Sequence, residues 1–357
     1  MAAIYGMPLM TLVDQDAPFP GSLTAPGANL VELLYRDAET GIDARAKAGL
    51  RDFVRFLDGY SDLLERLGES PYGLRHSPFA LRPGFVGRDD IRRKAEEARG
   101  WLRLGIGPVG DLAGMLDDAG ITIYRAALGS DLKRGVSGAF LHHPKLGMCI
   151  AVNVETTPGR QLFTIAHELA HALYHSQTES RVVSYWGRKD DKETFADQWA
   201  GEFLVPQEGL RWASEALGIK TVTHPEEAVH LQRLFGVSYA TMLVRLLVAK
   251  LATTETYEKL KRAHPVALAA TLGYSVRAEE WEQDPRRWRL ERFPRRFVRL
   301  LASTLRSERL SPTTAAGLTG LTVDEMAELM TPLPGDGDDV VTEELEQYAN
   351  VRERAAV

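Results

Sequence analysis

The segment from Gln161 to His175, QLFTIAHELAHALYH, constrains the fold of this chain more than any other. Neither proline nor glycine interrupts it, and it is rich in the apolar residues that bury a helix, so we expect a buried helix here. The apolar residues are Phe163, Ile165, Ala166, Leu169, Ala170 and Leu173. His167 and His171 are four residues apart and project from one face of that helix, close enough to share a metal ion.

The residue after the first histidine completes an H-E-x-x-H pattern. Glu168 lies about 100° further round the helix, where its carboxylate can reach a water held by the metal. Zinc lowers the pKa of such a water, and the carboxylate can take its proton as the water attacks a carbonyl group. The pattern therefore predicts metal-assisted hydrolysis of peptide bonds. The alternative is a buried helix whose histidines hydrogen-bond to the backbone.

A catalytic zinc usually has three protein ligands, so a third is needed. His175 is rejected, because it lies about 12 Å along the helix axis from His167 and a zinc–nitrogen bond spans about 2 Å. A second helix over 191–200 offers Glu193 as the ligand. Asp197, one turn later, can accept the other ring N–H of a metal-bound histidine. Without the H-E-x-x-H pattern, these two acids would be interpreted as a solvated helix surface. Such a site favours zinc, and manganese is possible.

Three segments resemble the ImmA/IrrE-type zinc peptidases: RQLFTIAHE at 160–168, ETFAD at 193–197 and FLVP at 203–206. The resemblance covers roughly 99–251. It implies that His167, His171 and Glu193 are metal ligands and that Glu168 is the general base. It also implies a protein substrate, typically a helix-turn-helix repressor that is cut to release its operon.

The fold expected from these features is α+β, with a zincin-like metallopeptidase core of a small sheet and active-site helices, and with helical N- and C-terminal regions. Strands are predicted at 121–124, 138–141 and 148–154. We assign the 148–154 strand the role of pairing with an extended substrate; a purely structural central strand is the alternative. His142 and His143, in a turn before it, are expected to be solvated.

We expect three regions along the chain. Residues 1–87 comprise an irregular arm, an amphipathic helix over 46–67 and a proline-rich loop. The apolar face of such a helix most often packs into the hydrophobic core. Residues 88–251 form the zinc peptidase-like domain with a helical extension, including a helix over 88–104, one from Pro108 to Asp118, and a helix-turn-helix over 226–251. Residues 252–357 form a C-terminal helical domain with a helix-turn-helix-like segment and an acidic tail.

Two features of the C-terminal region indicate what kind of partner it binds. Residues 286–299 contain seven arginines and one glutamate, interleaved with aromatic residues. Such a segment can bind a nucleic-acid backbone, but an interface with acidic parts of the same chain is the simpler account. In the later helix-turn-helix-like segment, Asp324, Glu325 and Glu328 would repel phosphates, which favours a protein partner. Direct DNA binding stays open.

Composition limits the remaining choices. The net charge of −6 gives no global argument for nucleic-acid binding. A single cysteine, Cys149, suits a reducing compartment, and no apolar run is long enough for a membrane span, so we expect a cytoplasmic location. The competing function is a non-catalytic regulator or antitoxin-type binding protein acting through its C-terminal helices. Candidates for oxyanion stabilisation, chosen only by proximity in sequence, are Tyr174, His175, Tyr185 and Arg160.

Overall fold

The computed structural model describes residues 44–79, 87–130, 136–176, 181–185, 190–274, 291–324 and 326, with only the backbone described at 181–185. The predicted N-terminal arm and acidic tail lie outside these residues. The chain divides into two compact units, Met1–Arg296 and Phe297–Val357. The three regions expected from the sequence stay a prediction.

The first unit is α+β and mostly helical. Its elements are α1 (Ala44–Leu67), α2 (Arg88–Trp101), α3 (Leu112–Asp118), β1 (Thr122–Ala126), β2 (Val136–His143), β3 (Gly147–Asn153), α4 (Pro158–Tyr174), β4 (Arg181–Tyr185), α5 (Asp191–Leu204), α6 (Gln207–Ala216), α7 (Pro225–Phe235), α8 (Tyr239–Val248), α9 (Thr254–Leu260) and α10 (Pro265–Thr271). Helix α11 (Arg295–Arg306) starts at the boundary, and α12 (Pro312–Thr319) belongs to the second unit.

The four described strands form one sheet in the order β1-β3-β2-β4. Strand β3 pairs in parallel with β1, where Ile123 lies opposite Ile150, and antiparallel with β2. Its backbone donors and acceptors are therefore used on both sides. The hypothesis that the 148–154 strand pairs with substrate is wrong, and its alternative, a central structural strand, is correct. Strand β4 was not predicted.

Both faces of the sheet are covered by helices. Helix α4 packs on the face that carries Met148, Ile150 and Val152, three residues predicted to share one side of their strand. On the other face, the Tyr124 ring stacks on Phe53 and Phe56 of α1, at 5.8 Å and 4.8 Å between centroids. The interpretation of the apolar face of α1 as core is confirmed. Because helices cover both faces of the sheet, β3 is buried along its whole length, and most of its side chains are apolar on both sides.

Two buried arginines fix the C-terminal end of α5. Arg99 of α2 donates to the carbonyl oxygen of Phe203. Arg245 of α8 donates to the carbonyl of Val205 at 2.9 Å and pairs with Glu202 at 2.6 Å. Each guanidinium satisfies carbonyls that the helix end leaves without an intrahelical donor. The FLVP segment is thus an anchored helix end, and it holds α5 in place beside α4.

Helix α3 begins later than the sequence suggested. The predicted start at Pro108 is wrong, because Asp111 is the N-cap and its Oδ1 accepts the N–H of Gly114 at 3.1 Å. An aspartate cap satisfies a free donor at the helix start, whereas proline only tolerates that position. The short irregular stretch before Asp111 therefore lies outside the helix.

The predicted helix-turn-helix after the peptidase core is confirmed. Helix α7 ends at Gly236, which has a left-handed backbone (φ 67°), and Ser238 caps α8 by accepting the N–H of Thr241 at 3.1 Å. The two helices are bent by 105° relative to each other. In the described residues, no single helix has the length and apolar character needed to cross a membrane; only this bent pair, taken together, meets those criteria.

The expectation that both histidines before β3 are solvated is wrong for His143. Its side chain is buried, and its Nδ1 accepts the backbone N–H groups of Lys145 and Leu146 at 3.2 Å and 3.1 Å. The buried ring therefore stabilises the β2–β3 turn by accepting two of its backbone N–H groups. His142 Nε2 lies 2.8 Å from the carbonyl oxygen of Arg75.

Part of the arginine-rich segment lies within the described residues of the first unit. Arg295 forms an ion pair with Asp111 at 2.6 Å. The backbone N–H of Arg296 donates to Asp117 at 2.8 Å, and its guanidinium lies over the Tyr72 ring, 3.9 Å from the centroid. These contacts agree with the intramolecular interpretation of the segment. Residues 286–290 lie outside the described part.

In the second unit, α12 begins after Ser311, as the sequence predicted. The Ser311 hydroxyl accepts the N–H of Thr314 at 3.1 Å, and the helix ends at Gly320 in the left-handed conformation. Of the three acidic residues expected to disfavour DNA, only Asp324 is described. The partner of this segment stays a prediction.

Candidate metal centre

Helix α4 carries the H-E-x-x-H residues into the interior. It starts after the extended residue Thr157 with Pro158 in its first turn, where the missing N–H costs little. His167, Glu168 and His171 are buried, and Glu168 is 0% exposed. Buried charged groups are stable only when they are paired or coordinate a metal. These three side chains therefore need ion-pair or metal partners to offset the free-energy cost of burying their charges.

Helix α5 brings Glu193 to the same place. Asp190 caps this helix, because its Oδ1 accepts the N–H groups of Lys192 and Glu193 at 3.0 Å and 2.9 Å. The cap fixes the backbone of Glu193 in the first helical turn, where the helix dipole stabilises a negative charge. The Glu193 side chain is buried with the two histidines.

The donor atoms of these three residues have the spacing of a metal site. His167 Nε2 is 3.1 Å from Glu193 Oε2 and 3.2 Å from His171 Nε2, and His171 Nε2 is 3.5 Å from Glu193 Oε1. Ligand atoms about 2.1 Å from a tetrahedral ion lie about 3.4 Å from one another. The set His167, His171 and Glu193, within 4.8 Å overall, therefore fits one divalent cation.

The outer nitrogen of His167 has its own partner. His167 Nδ1 lies 3.0 Å from Asp197 Oδ1, one turn after Glu193 on α5. Burial alone would lower the pKa of His167. Hydrogen bonds to Asp197 and Glu193, with the charge of Glu168, outweigh burial and raise this pKa to about 10. Without a cation, His167 would thus carry a proton on each ring nitrogen at neutral pH, and a divalent metal bound at Nε2 would displace one of them.

Glu168 is packed against a glycine of the sheet. A Cβ atom placed on Gly138 of β2 would lie 2.9 Å from Glu168 Oε1 and 2.6 Å from Cγ2 of Thr164, one helical turn earlier. The missing side chain at residue 138 therefore makes room for the carboxylate. Sequence reasoning placed Gly138 in a strand and gave it no role in the site. A glycine inside a strand is a known signal of close approach by another group.

Gly138→Ala should therefore disable the site while the metal ligands stay intact. The added methyl group must displace the Glu168 carboxylate or the helix that carries it, and a misplacement of about 1 Å can cost about 100-fold in rate. The measurement is peptidase rate and zinc affinity on the same protein. Gly100→Ala is the matched control, because its Cβ would meet nothing within 4 Å. Unchanged activity of Gly138→Ala would show that the carboxylate position is not critical.

The four candidates for oxyanion stabilisation lie in different surroundings in the structure. The Tyr174 hydroxyl donates to the carbonyl of Lys94 at 3.0 Å, and its ring contacts Phe195 and Trp199 edge-on, so Tyr174 is a core residue. Burial raises its pKa. His175 Nδ1 lies 2.8 Å from His171 Nδ1. The Tyr185 side chain lies outside the described part, and Arg160 lies half-buried in the first turn of α4.

Comparison with known families bears on this site. Residues 116–247 match the family model of the IrrE N-terminal-like domain of peptidase family M78. The matched range contains all four described strands, α4 and α5, and hence every residue of the candidate metal centre. The resemblance inferred from the three motifs is confirmed. No curated protein matches the chain.

The match supports a coarse functional assignment. Residues 116–247 resemble a metal-dependent, peptidase-type hydrolase domain, and their buried group of two histidines and one glutamate could bind a metal. The match does not favour the alternative of a non-catalytic regulator. The roles predicted for Glu168 and Asp197 stay predictions.

Proposed function

We propose that this IrrE N-terminal-like domain is a zinc-dependent endopeptidase with a zincin-like core. The observation that carries the proposal is the tetrahedral spacing of three buried donors, two of them on the helix that also carries Glu168. A regulator that uses the domain only as a scaffold has no need of an intact ligand set. Zinc is favoured by the nitrogen and oxygen donors, and manganese is the second choice.

In the proposed mechanism, each residue of the candidate site has a defined role. His167 and His171 would hold the metal through Nε2, and Glu193 through its carboxylate. The bound metal supplies Lewis acidity, which lowers the pKa of water and polarises a carbonyl oxygen. Glu168 takes the proton of the attacking water and can return it to the leaving amine. Asp197 accepts the Nδ1–H of His167 and so keeps Nε2 free to bind.

An edge of the sheet offers a place for the extended substrate backbone. Among the described strands, β1 and β4 are the edges. The backbone N–H of Arg125 in β1 already donates to the carbonyl of Arg292 at 2.9 Å. We therefore assign peptide pairing to β4, which follows the metal helix directly and replaces the central β3 in this role.

The proposed substrate is a protein, and specifically a helix-turn-helix repressor or antitoxin-like regulator. Support for this choice is the resemblance to ImmA/IrrE-type peptidases, in which cleavage of such a repressor releases its operon. On this account the protein acts in transcription regulation, including responses to stress.

The function can be tested without knowing the natural substrate. Metal-stripped full-length protein, reloaded with zinc, is incubated with a proteome-derived peptide library, and new termini are identified by mass spectrometry. We expect zinc-dependent cuts at recurring positions that are absent with Glu168→Gln. A zinc-loaded protein that yields no such cuts would contradict the peptidase function. A helix-turn-helix repressor and an unrelated folded protein then test the substrate class.

A further inference from the structure

His175 contacts the proposed metal ligand His171 on the side of the ring opposite to the other two ligands. It follows α4 directly, its backbone N–H donates to the carbonyl of His171 at 2.9 Å, and its Nδ1 lies 2.8 Å from His171 Nδ1. The opposite nitrogen of His171, Nε2, faces Glu193 and His167. The two nitrogens of the His171 ring thus have separate neighbours.

This geometry, together with metal binding at Nε2, would fix the position of the shared proton. Two ring nitrogens at 2.8 Å share one proton, so one donates and the other accepts. Metal binding through Nε2 needs its lone pair, which leaves the proton of a neutral His171 on Nδ1. His171 Nδ1–H then donates to His175 Nδ1, and His175 carries its own proton on Nε2.

We propose that His175 is a positioning residue for the metal centre, which fixes the ring orientation and the Nδ1–H tautomer of His171. This inference rests on the proposed function. His175 does for His171 what Asp197 does for His167, since an outer partner that accepts the second ring N–H holds a metal-binding histidine in place. The same contact explains why His175 is no ligand: its Nδ1 lies on the side of His171 that faces away from the other donors.

Helix α5 supports both outer contacts. The His175 ring packs edge-on against Phe195, at 5.4 Å between centroids. Residues 193, 195 and 197 therefore supply, in turn, the carboxylate ligand, the packing behind His175 and the acceptor for His167. A neutral imidazole behind His171 also avoids a further carboxylate at a site that already contains Glu168, Glu193 and Asp197, where another negative charge would add repulsion.

Two substitutions separate the hydrogen bond from the packing. Asparagine places its amide oxygen near the position of Nδ1, so His175→Asn keeps an acceptor and loses the ring. Phenylalanine keeps a ring against Phe195 and has no acceptor, so His175→Phe keeps the packing and loses the hydrogen bond to His171. Thermal unfolding of the metal-free proteins checks that both variants are folded.

The experiment compares zinc affinity in full-length, metal-stripped wild type, His175→Asn and His175→Phe, by competition with a chromophoric chelator. Visible absorption of the cobalt(II) forms reports the ligand geometry. We expect His175→Phe to bind zinc about 10- to 100-fold more weakly, with a shifted cobalt spectrum, because loss of an outer partner has this typical effect. His175→Asn should stay near wild type in both measurements.

Two results would overturn the role of His175 alone. One is wild-type affinity and cobalt spectrum in His175→Phe, and the other is an equal loss in both variants, which would assign the effect to the ring and not to the hydrogen bond. Absence of zinc binding by the wild type would instead contradict the proposed function itself, and the role of His175 would fall with it.

Discussion

Glu168→Gln is expected to lower the peptidase rate by about 100- to 10,000-fold, the usual contribution of a general base, while the protein still binds zinc as tightly as wild type. The amide has the shape of the carboxylate but cannot take a proton from water. Shape matters here, because Glu168 is fully buried and its carboxylate is packed against Gly138. Cleavage rates of zinc-loaded proteins and their zinc content are measured together.

Glu208→Gln is the matched control for this substitution. Glu208 lies exposed in the first turn of α6, so the same chemical change there should leave rate and zinc content unaltered. Full activity of Glu168→Gln would refute its role as general base. Loss of zinc together with activity would assign Glu168 to metal binding or to folding of the site.

Glu193→Ala is expected to weaken zinc binding by more than about 100-fold, since even loss of an outer partner costs about 10- to 100-fold. The substitution removes one of three donors and leaves two histidines with a cavity. Activity at limiting zinc should fall with the affinity. The measurement is competition for zinc with a chromophoric chelator, with circular dichroism to verify folding.

Asp191→Ala tests the specificity of that effect. Asp191 is exposed and lies in the same first turn of α5, two residues from Glu193. The substitution Asp191→Ala therefore removes an equal charge from the same helix end. We expect wild-type affinity for this variant. Equal binding by wild type and Glu193→Ala would exclude Glu193 as a ligand while the two histidines kept their assignment.

Local spacing explains why the centre of the site was predictable. Residues at i and i+4 share a helical face in any fold, so His167 with His171, and Glu193 with Asp197, were placed correctly relative to each other. That α4 and α5 lie close together could not be predicted from spacing. This prediction came from the chemical argument that a zinc site requires a third protein ligand. The structure brings Glu193 within 3.1 Å of His167, as that argument required.

Non-local contacts explain what the sequence could not predict. The order of the strands depends on pairing between distant segments, so alternation in β3 could not distinguish an edge strand from a central one. Gly138 acquires its importance only because α4 crosses β2 at that residue. His175 was rejected as a ligand on spacing alone, and its contact behind His171 depends on rotamers that spacing does not determine.

The central claim is that His167, His171 and Glu193 bind one metal ion, and calorimetric titration of zinc into the metal-stripped, full-length protein tests it most directly. The account predicts one tight site per chain, with protons released to the buffer as zinc displaces the proton held by His167. A well-folded protein that binds no zinc or manganese would contradict both the metal centre and the peptidase function derived from it.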